Sequence, residues 1–94
     1  MAYYHAILTC SGLTDAEAAS APADILEEFG HRPWHQNVNC RWNGQLLWLE
    51  ADNDYDSDGK ALLDEFRDAV IACVNTSGTI QFEIVSVESV PVGE

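Results

Sequence analysis

Asn43-Gly44 stands between two apolar-alternating segments, and no other feature of this chain restricts its fold as strongly. A two-residue hairpin turn demands positive φ at both central positions, which Asn and Gly tolerate and most residues do not. Before the turn, Val38, Cys40 and Trp42 alternate with Asn37, Asn39 and Arg41, the two-residue period of a strand. After it, a strand is expected from Gln45 to about Ala51. A tight turn places Trp42 opposite Gln45, Cys40 opposite Leu47 and Val38 opposite Leu49, so these side chains share one face and should meet helices. Asn37, Asn39, Arg41, Leu46, Trp48 and Glu50 then share the other.

The hairpin is flanked by one strand and one helix on each side. Tyr3 to Cys10 is rich in β-formers and stops at Ser11-Gly12; Tyr4, Ala6, Leu8 and Cys10 form its core face and leave Tyr3, His5, Ile7 and Thr9 opposite. Thr14 and Glu17 form a capping-box pattern that opens a helix running to Phe29, where Gly30 is placed to end it in the left-handed conformation. Pro22 inside that span means either a kink or a late start capped by Ser20. Gly59 to Val74 repeats Leu62, Phe66, Ala69, Val70 and Cys73 at helical steps, and Asn75 to Gly78 ends it. Thr79 to Val87 is the last strand, its phase slipping at Val85 and Val87 as a bulge allows, before a tail marked by Pro91 and Gly93.

The resulting order, β-α-β-β-α-β, resembles the ferredoxin-like domains in element order and length across nearly the whole chain. That resemblance implies an α+β sandwich, a four-stranded antiparallel sheet with two helices on one face. At 94 residues, one domain over residues 1–94 is expected. Fold at this level implies no function.

Sixteen acidic residues against four basic ones give a formal net charge of −12, which disfavours direct contact with nucleic acid or an anionic membrane. The same field attracts metal cations and basic proteins, and also keeps a small domain soluble. No segment approaches the roughly 20 apolar residues of a membrane helix, and no signal peptide is recognisable at the N-terminus. A cytoplasmic location follows as an expectation, with Cys10, Cys40 and Cys73 read as reduced, buried thiols.

Asp54, Asp56, Asp58, Gly59 and Glu65 match D-x-D-x-D-G followed by five residues and Glu, and resemble the calcium loop of EF-hand proteins. The resemblance implies a Ca2+ site closed by Glu65, with Lys60 giving its backbone carbonyl. A strand rather than a helix precedes the loop and Ala61 replaces the usual branched residue, so a paired EF-hand is excluded and a lone site is what remains. The alternative is that Asp56 or Asp58 caps the second helix. His31, His35 and Cys40 fit no zinc spacing, and His35 lacks any partner nameable from sequence that would make it a general base.

Tyr3, His5, Ile7, Arg41, Leu46 and Trp48 are expected to cluster on the sheet face turned away from the helices, as an interaction face. The leading expectation is therefore a non-enzymatic interaction module binding another protein, basic in character, or a second copy of itself, through that face or the acidic surface. The alternatives are a calcium-binding domain, and a small enzyme or ligand carrier whose site lies in a sheet-face dimer lined by His5, Arg41 and Trp48. The run Glu50, Asp52, Asp54, Asp56, Asp58 also suggests a phosphate mimic.

Overall fold

A computed structural model describes residues 2–54, 56–74 and 78–91. The expected helix-ending segment at 75–77 and the tail beyond Pro91 lie outside the described residues. The elements are β1 (Ala2–Ser11), α1 (Asp15–Ala18), α2 (Ala21–Phe29), β2 (Gln36–Trp42), β3 (Leu47–Asn53), α3 (Lys60–Cys73) and β4 (Gln81–Pro91). This is an α+β fold whose four strands form one open antiparallel sheet in the order β2-β3-β1-β4.

One sheet face is buried. Ala6, Leu8 and Cys10 of β1 and Leu47, Leu49 and Ala51 of β3 are fully enclosed, and they join Ile25 and Phe29 of α2 and Leu62, Phe66, Ala69 and Val70 of α3 in a single core. The alternation in both strands thus has the phase expected from sequence. Phe66 meets Phe82 of β4 edge-on at 5.4 Å, tying α3 to the far strand.

The turn between β2 and β3 is longer than an Asn-Gly pair requires. Trp42 faces Leu47 and Cys40 faces Leu49, two positions beyond the expected register, and residues 43–46 form the loop. The Asn43 side chain causes the difference: its Oδ1 accepts from the amides of Gln45 (2.9 Å) and Leu46 (2.7 Å), while the Asn43 amide donates to the Leu46 carbonyl at 3.2 Å. Only Gly44, at φ +97°, takes the left-handed backbone there. Because side chains alternate with period two, a two-residue slip leaves the buried face unchanged. Further along β2, a bulge at Asn37 (φ 54°) sets two residues against Ala51.

The first helical span is divided. Thr14 and Glu17 do form the capping box, with reciprocal bonds of 3.1 and 2.9 Å, but α1 closes after one turn and α2 opens at Ser20 with Pro22 in its first turn. Gly30 does not adopt the expected left-handed conformation. Its φ is −61°, and the chain coils on, with the amides of His31 and Arg32 donating to the carbonyls of Glu28 and Phe29. In β4 the phase slip is real: Ile7 faces Ser86 while Leu8 faces Ile84, leaving Val85 as the extra residue.

Candidate interaction face

The sheet face away from the helices carries Tyr3, His5 and Ile7 of β1, Arg41 of β2, Trp48, Glu50 and Asp52 of β3, and Glu83, Ser86 and Glu88 of β4. Five of the six side chains expected there are present. Leu46 is the exception, since the longer turn leaves it in the loop before β3. Trp48 and Ile7 are half-buried, so the face is more polar than an apolar patch: Arg41 lies over the Trp48 ring at 5.6 Å from its centroid and bonds Glu50 at 3.2 Å.

His5 sits at the centre of this network. Its Nδ1 is 2.5 Å from Asp52 Oδ1 and its Nε2 is 3.2 Å from Glu50 Oε2, while Asp52 also accepts from the Asn37 amide group at 2.9 Å. Two carboxylates on the two ring nitrogens require both nitrogens to donate, the state of the imidazolium. The pKa of His5 is accordingly raised above its ordinary 6.5, led by the hydrogen bond to Asp52, opposed by partial burial, and reinforced by the Asp52 charge and by Glu50. A raised pKa contributes stability that is complete below the ordinary value and disappears as pH climbs through the folded-state value. An NMR titration should therefore place His5 above 6.5, and Asp52→Asn should return it toward the ordinary value; an unchanged midpoint in that variant would contradict the geometry.

Glu50, Asp52, Glu83 and Glu88 outnumber Arg41 and His5, so the open face is acidic even with His5 protonated. Glu83 and Glu88 are exposed and make no ion pair among the described residues.

The aspartate loop is built differently from a calcium site. Asp56 is buried, and its two oxygens accept from the amides of Ala61 (3.2 Å) and Leu62 (2.9 Å) in the first turn of α3. Its own amide donates to Asn53 Oδ1 at 2.7 Å, and Asp58 Oδ1 accepts from the Lys60 amide at 3.1 Å. Gly59 holds φ +78° at the N-cap, where a Cβ would come within 3.0 Å of Val87. Asp54 is exposed. Glu65 turns away to Arg32 Nε (3.0 Å) and His35 Nε2 (2.7 Å). Among the described residues no group of three or more His, Cys, Asp or Glu is arranged to hold a metal ion. Of the carboxylates that matched the loop pattern, Asp56 and Asp58 cap the start of α3 and Glu65 anchors the loop after α2.

Sequence reasoning missed the Glu65 partnership. His35 has the oriented carboxylate that a general base needs, but its side chain is fully enclosed beside Phe29, so no substrate reaches it. His31 is exposed and Cys40 buried, and the soft-ligand group does not assemble. Burial raises the Cys10 thiol to about 11 and the Cys40 thiol to about 12, and Cys73 is half-buried; all three are free. The acidic run does not form one surface either, because Glu50 and Asp52 line the open face while Asp56 is internal.

The described residues enclose no cavity or cleft, and among them no helix is long and apolar enough to cross a membrane. No family model, no curated protein and no solved structure matches this chain.

Proposed function

We propose that this chain is a non-enzymatic interaction module that engages another protein through its open, acidic sheet face. One observation carries the reading: the face stays uncovered by any described element, yet its side chains are pre-ordered into a His5–Asp52–Glu50–Arg41 network over Trp48. Held side chains lose less freedom on binding than free ones. The sign of the face favours a basic partner over a second copy, because two such faces in contact would oppose like charges. Free Cys10, Cys40 and Cys73 suit a reducing compartment, which supports a cytoplasmic placement.

We infer as well that the architecture is the ferredoxin-like split β-α-β sandwich. Its support is the strand order read from the β4 edge, β4-β1-β3-β2, in which β1 and β2 flank β3 while β4 and β3 flank β1. Two interleaved strand-helix-strand units give that arrangement.

Affinity capture from extract with the purified chain, at low and high salt, tests the functional reading. Wild type should retain a basic protein at low salt and release it as screening rises, and Glu50→Lys with Asp52→Lys should retain it poorly. Equal capture by wild type and variant would remove the open face as the binding surface.

A further inference from the structure

Among the described residues, β4 forms the outer edge of the sheet beyond β1, and along its eleven residues the strand pairs with β1 alone. A free strand edge presents backbone donors and acceptors that a second chain can continue. Two observations specify the chemistry of such a chain. On the helix side, Phe82, Ile84 and Val87 are only partly covered, leaving apolar surface beside the edge. On the open side stand the exposed carboxylates of Glu83 and Glu88, and the bulge residue between them in sequence, Val85, is 52% exposed.

Edges that resist pairing usually carry Lys, an inward charge or Pro near their middle. Residues 81–91 contain no Lys or Arg, and the devices present are the Val85 bulge, the two glutamates and, at the last strand position, Pro91. Those glutamates repel another copy of a chain with net charge −12 and attract a cationic one. The bulge also sets spacing. Glu83 and Glu88 are five positions apart on β4, yet their β1 neighbours Thr9 and His5 are four apart, so regular strand positions i and i+4 match both carboxylates on the same face.

We propose, resting on the open-face reading above, that the free edge of β4 takes up an extended segment of a basic partner by strand addition. Lys or Arg residues at i and i+4 of that segment stand beside Glu83 and Glu88, and its intervening apolar residues cover Phe82, Ile84 and Val87. Backbone pairing supplies the ladder, and the alternating side chains supply selectivity.

A nine-residue peptide alternating Lys and Val, titrated into the isotope-labelled chain at low salt and followed by backbone NMR, tests this. Saturable shifts should run along Gln81–Ser89. Methylating alternate backbone nitrogens of the peptide keeps its charge but removes ladder donors, and should weaken binding about tenfold or more. Glu83→Lys with Glu88→Lys, both at exposed positions, should weaken it by about the same factor. Equal binding of the methylated peptide, or shifts confined to His5, Arg41 and Trp48, would overturn strand addition while leaving the open face as a binding surface. Loss of the salt-dependent capture described above would instead sink the open-face reading itself. A dimer held through β4 in light scattering would also overturn the proposal.

Discussion

Asp56→Ala should lower the melting temperature by about 10–20 °C, one of the two largest losses expected from a single polar substitution in this chain. The buried Asp56 carboxylate accepts from the Ala61 and Leu62 amides, and alanine leaves both donors of the α3 first turn without that acceptor. Hydrogen bonds to a charged acceptor contribute about 1.5–3 kcal/mol net, and a domain of this size shifts about 4–8 °C per kcal/mol. Asp56→Asn keeps one acceptor oxygen and should lose about half as much. Thermal unfolding checks both, and the difference between wild type and Asp56→Ala should be the same in millimolar calcium as in chelator. A shift that vanished on chelation would mean that Asp56 acts through a bound cation rather than as a cap.

Glu65→Ala should cost about 2–3 kcal/mol, or about 10 °C or more, because it removes the carboxylate that holds both the Arg32 guanidinium and the enclosed His35 ring. Glu65 joins α3 to the loop after α2 through Arg32 at 3.0 Å and His35 at 2.7 Å. His35 is enclosed, and Arg32 is partly so, held over Phe29 with its centroid distance at 5.5 Å and its Nη1 on the Glu28 carbonyl. Removing Glu65 leaves both of its partners without that carboxylate, whereas Arg32→Ala should cost less because Glu65 keeps its hydrogen bond to His35. A double-mutant cycle on Glu65 and Arg32 should return coupling of about 1 kcal/mol. Additive losses would show that the triad is not a unit.

These two sites also show where sequence reading stops. Periodicity reports which side of an element is buried, so the core faces of β1, β2 and β3, the helical stripe of α3 and even the Val85 bulge were readable from apolar spacing. Local hydrogen-bond chemistry was readable where the partners are close in sequence, as with Thr14 and Glu17. Turn length was not, because Asn43 can either take positive φ or fold its side chain onto the Gln45 and Leu46 amides, and it does the second. The aspartate pattern was ambiguous for a related reason. Carboxylates that converge on a cation and carboxylates that cap a helix need the same residue types at the same place, and only the direction of Glu65 and Asp56 separates them. The pairing of Glu65 with His35 spans 30 residues and depends on how α3 settles beside the loop before β2.

On the open face, five of six expected residues were legible because strand alternation assigns sides without knowing neighbours. Glu50 was not among those six, though hairpin alternation set it on the outward side; its bond to His5 spans 45 residues and requires β1 to lie beside β3. Glu83 and Glu88 entered only when β4 was found on the far side of β1. The acidic character of the surface was thus evident from composition, whereas its concentration around one histidine on one face was not.

Carboxyl-group footprinting of the free chain against its captured complex addresses the central claim most directly. Labelling at Glu50, Asp52, Glu83 and Glu88 should fall on complex formation, while Asp64 and Asp68 on the exposed side of α3 keep their reactivity. Protection at the α3 carboxylates with the sheet-face set unchanged would contradict it.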